Sequence, residues 1–302
     1  MKNRKFIAEE HMHIYQRTVK RHNIFYCNAD YLVYFTIFCI WARKLKINVL
    51  GLCLMIDHLH MLIQGQTKET VSRFISTVSK IFVNEYNAAI GRRGALFERR
   101  FGSAPKQGRK KLVTTIIYIG NNPVEKKLCM TAEHYKWNFI AYLTSDHPFS
   151  VKIKLNSAST RLRRSIKLVD WQYQQVRHLN YSMLQILFAR LSPEESAQLT
   201  DYIISKYNVI DKEIVIKIFG SYENMLKAVH STTGSEYDIQ EDFSAVSDTV
   251  YQDITKFIKK NILLANIREV TTLDLKKKAK IAKLIKAYVG APLWLIEKYL
   301  HL

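Results

Sequence analysis

Alternation and helical spacing divide the first half of the chain into a short series of elements. Residues 48–64, NVLGLCLMIDHLHMLIQ, read as two apolar strands folded around Asp57. Strand geometry sends alternate side chains to opposite faces, so His58 and His60 share one face while Leu59 and Met61 point into the core. Upstream, residues 12–20 (MHIYQRTVK) alternate as a first strand. Asn28-Ala29-Asp30 signals a helix start. It opens a helix over 31–44 that is apolar on most sides and therefore predicted to be buried. Residues 67–89 predict a longer helix with Val71, Ile75, Val78, Phe82, Val83 and Tyr86 at helical spacing, ended by Gly91. Residues 112–122 predict a short helix stopped by Pro123, which puts Tyr118 and Asn122 on one face, four residues apart. The aromatic stretch at 133–143, EHYKWNFIAYL, closes this part.

Beyond about residue 148 the pattern turns helical. Residues 151–164 are basic and polar, as in a linker, and helices are predicted over 162–177, 181–190, 193–206, 212–229 and 247–264. Ser192-Pro193-Glu194-Glu195 is a strong start signal, with a capping serine, a first-turn proline and acids at the positive end of the helix. Residues 235–248 are acidic and predict a loop. At the end of the chain, residues 276–288 form an amphipathic pattern with Ile281, Leu284 and Ile285 inward. A turn at 289–291 follows, then a helix opened by Pro292 with Leu293, Leu295, Ile296 and Leu300 inward and Trp294, Glu297 and Lys298 outward. This is the pattern of a helix-turn-helix, whose second helix can enter the major groove. An ordinary helical hairpin has the same pattern. The expected division is 1–148, a helical region at 149–264, and a DNA-binding unit at 265–302.

Charge sharpens this picture. The chain of 302 residues carries 46 Lys and Arg against 26 Asp and Glu, a net +20. Such an excess points to a polyanionic partner, nucleic acid first and an acidic membrane second. No stretch has the length of a membrane span, and the first residues lack the apolar run of a secretion signal. Cys27, Cys39, Cys53 and Cys129 are scattered without a C-x-x-C pair, so structural zinc and a disulfide framework are not expected, and a reducing, cytoplasmic setting is. Residues 92–111, RRGALFERRFGSAPKQGRKK, interrupted by Leu96, Phe97 and Phe101, read as a mobile, positive loop that grips phosphates and offers aromatic faces to bases. A solvated linker is the plainer alternative. The candidate DNA contacts are Arg17, Arg92, Arg93, Arg99, Arg100, Lys106, Arg109, Lys110, Lys111, Lys276, Lys277, Lys278, Trp294 and Lys298.

Two imidazoles two residues apart on a stiff strand can hold a divalent metal. Together with the downstream Tyr118 helix and the basic loop between them, they resemble the single-tyrosine HUH transposases, and among these the REP-associated tyrosine transposases. The resemblance spans about residues 10–145 and rests on NIFYCNADY (23–31), LCLMIDHLHMLI (52–63), GALFERRF (94–101), YIGNNPVEKKL (118–128) and HYKWN (134–138). It implies an α+β fold, a ferredoxin-like antiparallel sheet with flanking helices in the order β-α-β-β-α-α, followed here by an all-α region. It implies Tyr118 as nucleophile and His58, His60 and Asn122 as ligands of Mg²⁺ or Mn²⁺; ligand softness alone leaves zinc open. The implied activity is nicking and rejoining of single-stranded or hairpin DNA at hairpin repeats through a 5′-phosphotyrosine, by a monomer or a homodimer. Two departures stand out: Ile56 replaces a proline, and Gly120-Asn121 replace bulkier residues. A catalytically silent DNA-binding protein, or an RNA-binding protein on the same sheet, are the competing readings.

Overall fold

The computed structural model describes residues 6–7, 9–231 and 247–302. The acidic stretch predicted as a loop lies outside the described residues except at its end. Among the described residues no helix is long and apolar enough to cross a membrane, and none of the four cysteines forms a disulfide.

Four strands, β1 (His11–Arg17), β2 (Asn48–Leu54), β3 (His58–Gln64) and β4 (Gly102–Lys106), form one sheet in the order β2-β3-β1-β4. Every pairing is antiparallel. With α1 (Asn28–Lys44) between β1 and β2, and α2 (Lys68–Ile90) between β3 and β4, this is the ferredoxin-like arrangement. The strand β4 was not expected. It lies inside the basic stretch taken for a mobile loop, where GSAPK offers no β-branched residue. Pro105 is tolerated because β4 is an edge strand, paired only with β1. Gly102 leaves room for the Tyr15 ring, whose Cζ lies 1.9 Å from where a Cβ would be.

The two faces of the sheet do different work. Met12, Ile14, Leu59, Met61 and Ile63 point to α1 and α2 and form the main core with Leu32, Phe38, Phe74 and Phe82. Asp30 caps α1, accepting from the backbone N–H of Tyr26 and of Cys27 at 2.8 and 3.0 Å. On α2, Thr67 caps the start and Gly91 ends the helix at φ 64°. The opposite face carries His13, His60 and Leu62 and is covered by α3 (Gly108–Glu125), whose Ile116, Ile117, Tyr118 and Ile119 pack with Leu50, Cys53 and Leu62. Pro123 does not stop α3 as expected. The helix runs on to Glu125, with Lys126 N–H donating to the Asn122 carbonyl at 3.1 Å.

The remaining helices wrap this core in three groups. The first is α4 (Thr160–Gln174), α5 (Tyr181–Phe188) and α6 (Pro193–Tyr207), which join the main core through Leu162, Val169, Leu184 and Ile203. The second is α7 (Lys212–Phe219) and α8 (Tyr222–Ser231), which pack on α3 through Val215, Met225 and Val229. The third is α9 (Thr249–Asn261), α10 (Leu275–Val289) and α11 (Leu293–Leu300), which form a core of their own that also takes in Tyr26 and Ile56. Where a proline is usual, Ile56 therefore gives the β2–β3 turn an apolar contact with the C-terminal helices. Leu293, expected inside, is 56% exposed, while Leu295, Ile296 and Leu300 are buried.

Candidate catalytic site

The turn from β2 to β3 puts Asp57 next to His58, and the Met55 N–H donates to the His58 carbonyl at 2.9 Å. His58 and His60 then project from a central strand rather than an edge, toward α3. One face of α3 returns Tyr118 and Asn122 to them. His58 Nε2 lies 3.2 Å from Asn122 Oδ1, and Asn122 Nδ2 lies 3.3 Å from His60 Nε2. The Tyr118 ring stands edge-on to His60, centroids 5.3 Å apart. All four side chains are buried. The four residues singled out in sequence thus converge within one chain.

Between Tyr118 and Asn122, Gly120 lets Ile140 pack closely on α3. A Cβ there would meet Ile140 Cδ1 at 2.5 Å, so a bulkier residue would press on Ile140 in the turn at 139–142 that packs beside α3. Asn121, turned the other way, donates to the Val229 carbonyl at 2.7 Å. The glycine and asparagine that depart from the usual pattern leave Asn122 aimed at the two imidazoles.

A second layer of partners orients the imidazoles. His58 Nδ1–H donates to Asp57 Oδ1 at 2.5 Å, and His60 Nδ1 faces His13 Nε2 at 3.1 Å. His13 also stands 5.6 Å from the Tyr118 ring, centroid to centroid. Burial opposes the charge on Asp57, but His58, Arg21 and Lys298 outweigh it and hold the carboxyl down at about 2. Neither Asp57 nor His13 was singled out in sequence. The signal was available for His13, since β1 alternates as β3 does and puts His13 on the same face.

These contacts test whether the residues suit a metal. With both Nδ1 atoms engaged, both Nε2 lone pairs turn toward the Asn122 amide. For His58 this sets two acceptors, Nε2 and Oδ1, only 3.2 Å apart. Two lone pairs at that distance need a proton or a cation. The separation is close to the edge of an octahedral Mg²⁺ site, about 3 Å for ligands at about 2.1 Å. An outer carboxylate on a ligating histidine is the usual support for such a site. Among the described residues no group of three or more His, Cys, Asp or Glu could hold a metal. A metal here would depend on two imidazoles and the amide.

Residues 7–122 match the family model described as transposase IS200 like. This part of the chain is similar to the IS200-like transposases. A solved structure, "Structure of the REP associates tyrosine transposase bound to a REP hairpin", is similar to this chain at 14% identity and TM-score 0.40, over 46% of this chain and 81% of that one. No curated protein matches the chain.

The candidate DNA contacts are unevenly placed. Arg93, Arg99, Arg100, Arg109, Lys110, Lys111, Lys276, Lys277 and Trp294 are exposed. Arg92 is half-buried and donates to Asn87 Oδ1 and to the Gly94 and Ala95 carbonyls. Lys106 and Lys278 are buried, and Lys278 Nζ donates to the His301 carbonyl at 3.0 Å. Phe97, expected to face bases, belongs with Leu96 to the main core. Arg17, Trp294 and Lys298 meet beside Asp57, together with Arg21 and Lys126, which were not singled out.

Proposed function

We propose that this chain cuts and rejoins single-stranded or hairpin DNA, with the Tyr118 hydroxyl as nucleophile. The observation that carries this reading is the convergence of Tyr118, His58, His60 and Asn122 on one buried face, with the Tyr118 ring 5.3 Å from that of His60. The phenol oxygen attacks the phosphorus, the P–O3′ bond breaks, and the 3′ oxygen leaves and takes up a proton. A 5′-phosphotyrosine remains. Because the phosphodiester bond energy is kept in that ester, the 3′-hydroxyl of another strand can reverse the step and seal it without a nucleotide cofactor.

His58, His60 and Asn122 would hold Mg²⁺ or Mn²⁺, which when bound offsets the charge of the phosphate and orients it for in-line attack. Asp57 fixes the His58 tautomer by accepting from Nδ1–H, and His13 does the same for His60. A free phenol, with a reference pKa of about 10, is a poor nucleophile until its proton is drawn off. His13 and His60, the two rings beside Tyr118, are the groups placed to influence that proton. The net charge of +20 supports a nucleic-acid substrate.

The test is a labelled single-stranded hairpin incubated with the chain and Mn²⁺. A slow-migrating covalent band that needs the metal and vanishes in Tyr118→Phe supports the proposal. Tight binding with no band under any divalent metal would make the chain a silent DNA binder.

A further inference from the structure

A cavity of about 240 Å³ opens beside Asp57, lined by Arg17, Arg21, Lys126 and Lys298 with the Trp294 ring. Each of its inner residues is one step from the site just described. Arg17 is the cross-strand partner of His58, Asp57 bonds His58, and Lys126 is one helical turn beyond Asn122. Its outer wall comes from α9 and α11, far outside residues 7–122.

We infer that this cavity is a nucleotide subsite for the strand flanking the cleaved bond. One phosphate lies among Arg17, Arg21, Lys126 and Lys298, and one unpaired base stacks on Trp294. The inference rests on the proposed DNA-cleaving reading and names where its substrate is held.

Three observations support it. First, Arg21 Nη1 is buried and has no hydrogen-bond partner among the described residues. A buried guanidinium N–H without an acceptor is costly, and a phosphate oxygen supplies one. Second, the Trp294 ring is 39% exposed on the first turn of α11, with Lys298 Nζ 4.7 Å from its centroid. An indole held open beside cations is a stacking platform for a base of any identity. Third, the four cations of the lining face three acids, Asp57, Glu98 and Asp248, an excess of one positive charge. Asp57 is already committed to His58 and to Arg21, 3.5 Å away. Burial and the charge of Asp57 push the Asp248 carboxyl up to about 6. Glu98 is exposed. Burial also holds the Lys298 amine below its ordinary value, the mark of a cation short of solvent that an anion would relieve.

The test uses the full chain carrying Tyr118→Phe, so that binding is read without cleavage, and a short single-stranded oligonucleotide of mixed sequence. Trp294→Ala and Arg21→Gln should each weaken binding about tenfold. Trp294→Phe and Arg21→Lys should recover most of the loss. Arg21→Gln should lower the salt slope of binding by about one, and Trp294→Ala should leave it alone. Unchanged thermal midpoints show that the variants fold. Parent-like affinity and slope in both variants, or failure of the parent to prefer single strand over duplex, overturns the subsite. Assaying the same substitutions with Tyr118 intact separates the two ideas. Binding that needs Arg21 and Trp294 without covalent product leaves the subsite standing and sinks the chemistry. Covalent product at parent rates in both variants does the reverse.

Discussion

Asp57 is the residue on which the geometry of the two imidazoles turns. Its carboxylate accepts from His58 Nδ1 and is braced by Arg21, so it decides which nitrogen of His58 faces Asn122. Replacing it by asparagine keeps the shape but removes the charge and allows the amide to present either end. Asp57→Asn should lower metal affinity and metal-dependent nicking by about ten- to a hundredfold, the usual range for losing such a partner. Folding should be nearly intact. Titration of Mn²⁺ by calorimetry, alongside the nicking assay, checks this, and unchanged metal affinity would deny Asp57 an orienting role.

At the scale of elements, α3 packs against the turn at 139–142 with the Ile140 side chain where a Cβ at position 120 would lie. Gly120→Leu forces Ile140 or the helix itself to move, an overpacking cost of about 1–3 kcal/mol. The prediction is lower stability in urea together with nicking reduced well beyond what the unfolded fraction explains, since Asn122 and Tyr118 move with the helix. The same element shows what could be read from sequence. Helical spacing put Tyr118 and Asn122 on one face, and strict alternation put His58 and His60 on another, because each pattern is local. The partnership of His13 with His60 was not legible, because it joins residues 47 apart through strand pairing. Nor was β4, whose five residues have no strand propensity and become a strand only because β1 offers them an open edge. Pro123 misled for a related reason: it costs one backbone bond, but the packing of α3 on the sheet carries the helix two residues further.

For the whole molecule, the C-terminal helices are tied into the first half of the chain at several points. Arg268 Nε lies 3.3 Å from Asp30 Oδ1, both side chains buried, and its guanidinium sits 3.8 Å from the Tyr181 ring centroid. The Tyr26 hydroxyl donates to the Tyr299 carbonyl at 2.6 Å. Arg268→Met leaves Asp30 buried without its cation and should cost about 3–5 kcal/mol, read from urea unfolding. This long-range pairing joins the C-terminal helices, which have a core of their own, to the first half of the chain.

Acid should loosen the same junction. His22 and His301 stack with centroids 4.4 Å apart, next to Arg92 and Lys278. Burial lowers His22 to about 4 and His301 to about 3. The unfolded chain takes up these protons near pH 6.5 and the folded chain resists them. The stability is therefore complete above about 6.5 and is lost as pH falls through 4 toward 3. Hydrogen exchange of the α11 amides should quicken over that window, and His301→Gln should flatten the dependence.

The most direct test is to identify the residue that carries DNA. The chain is allowed to react with a single-stranded hairpin and Mn²⁺, the adduct is digested with nuclease and protease, and the peptides are weighed. The account predicts a nucleotide joined through its 5′-phosphate to the peptide containing Tyr118, and to no other. A nucleotide on a different residue, or a cleaved strand with no protein attached, would contradict it.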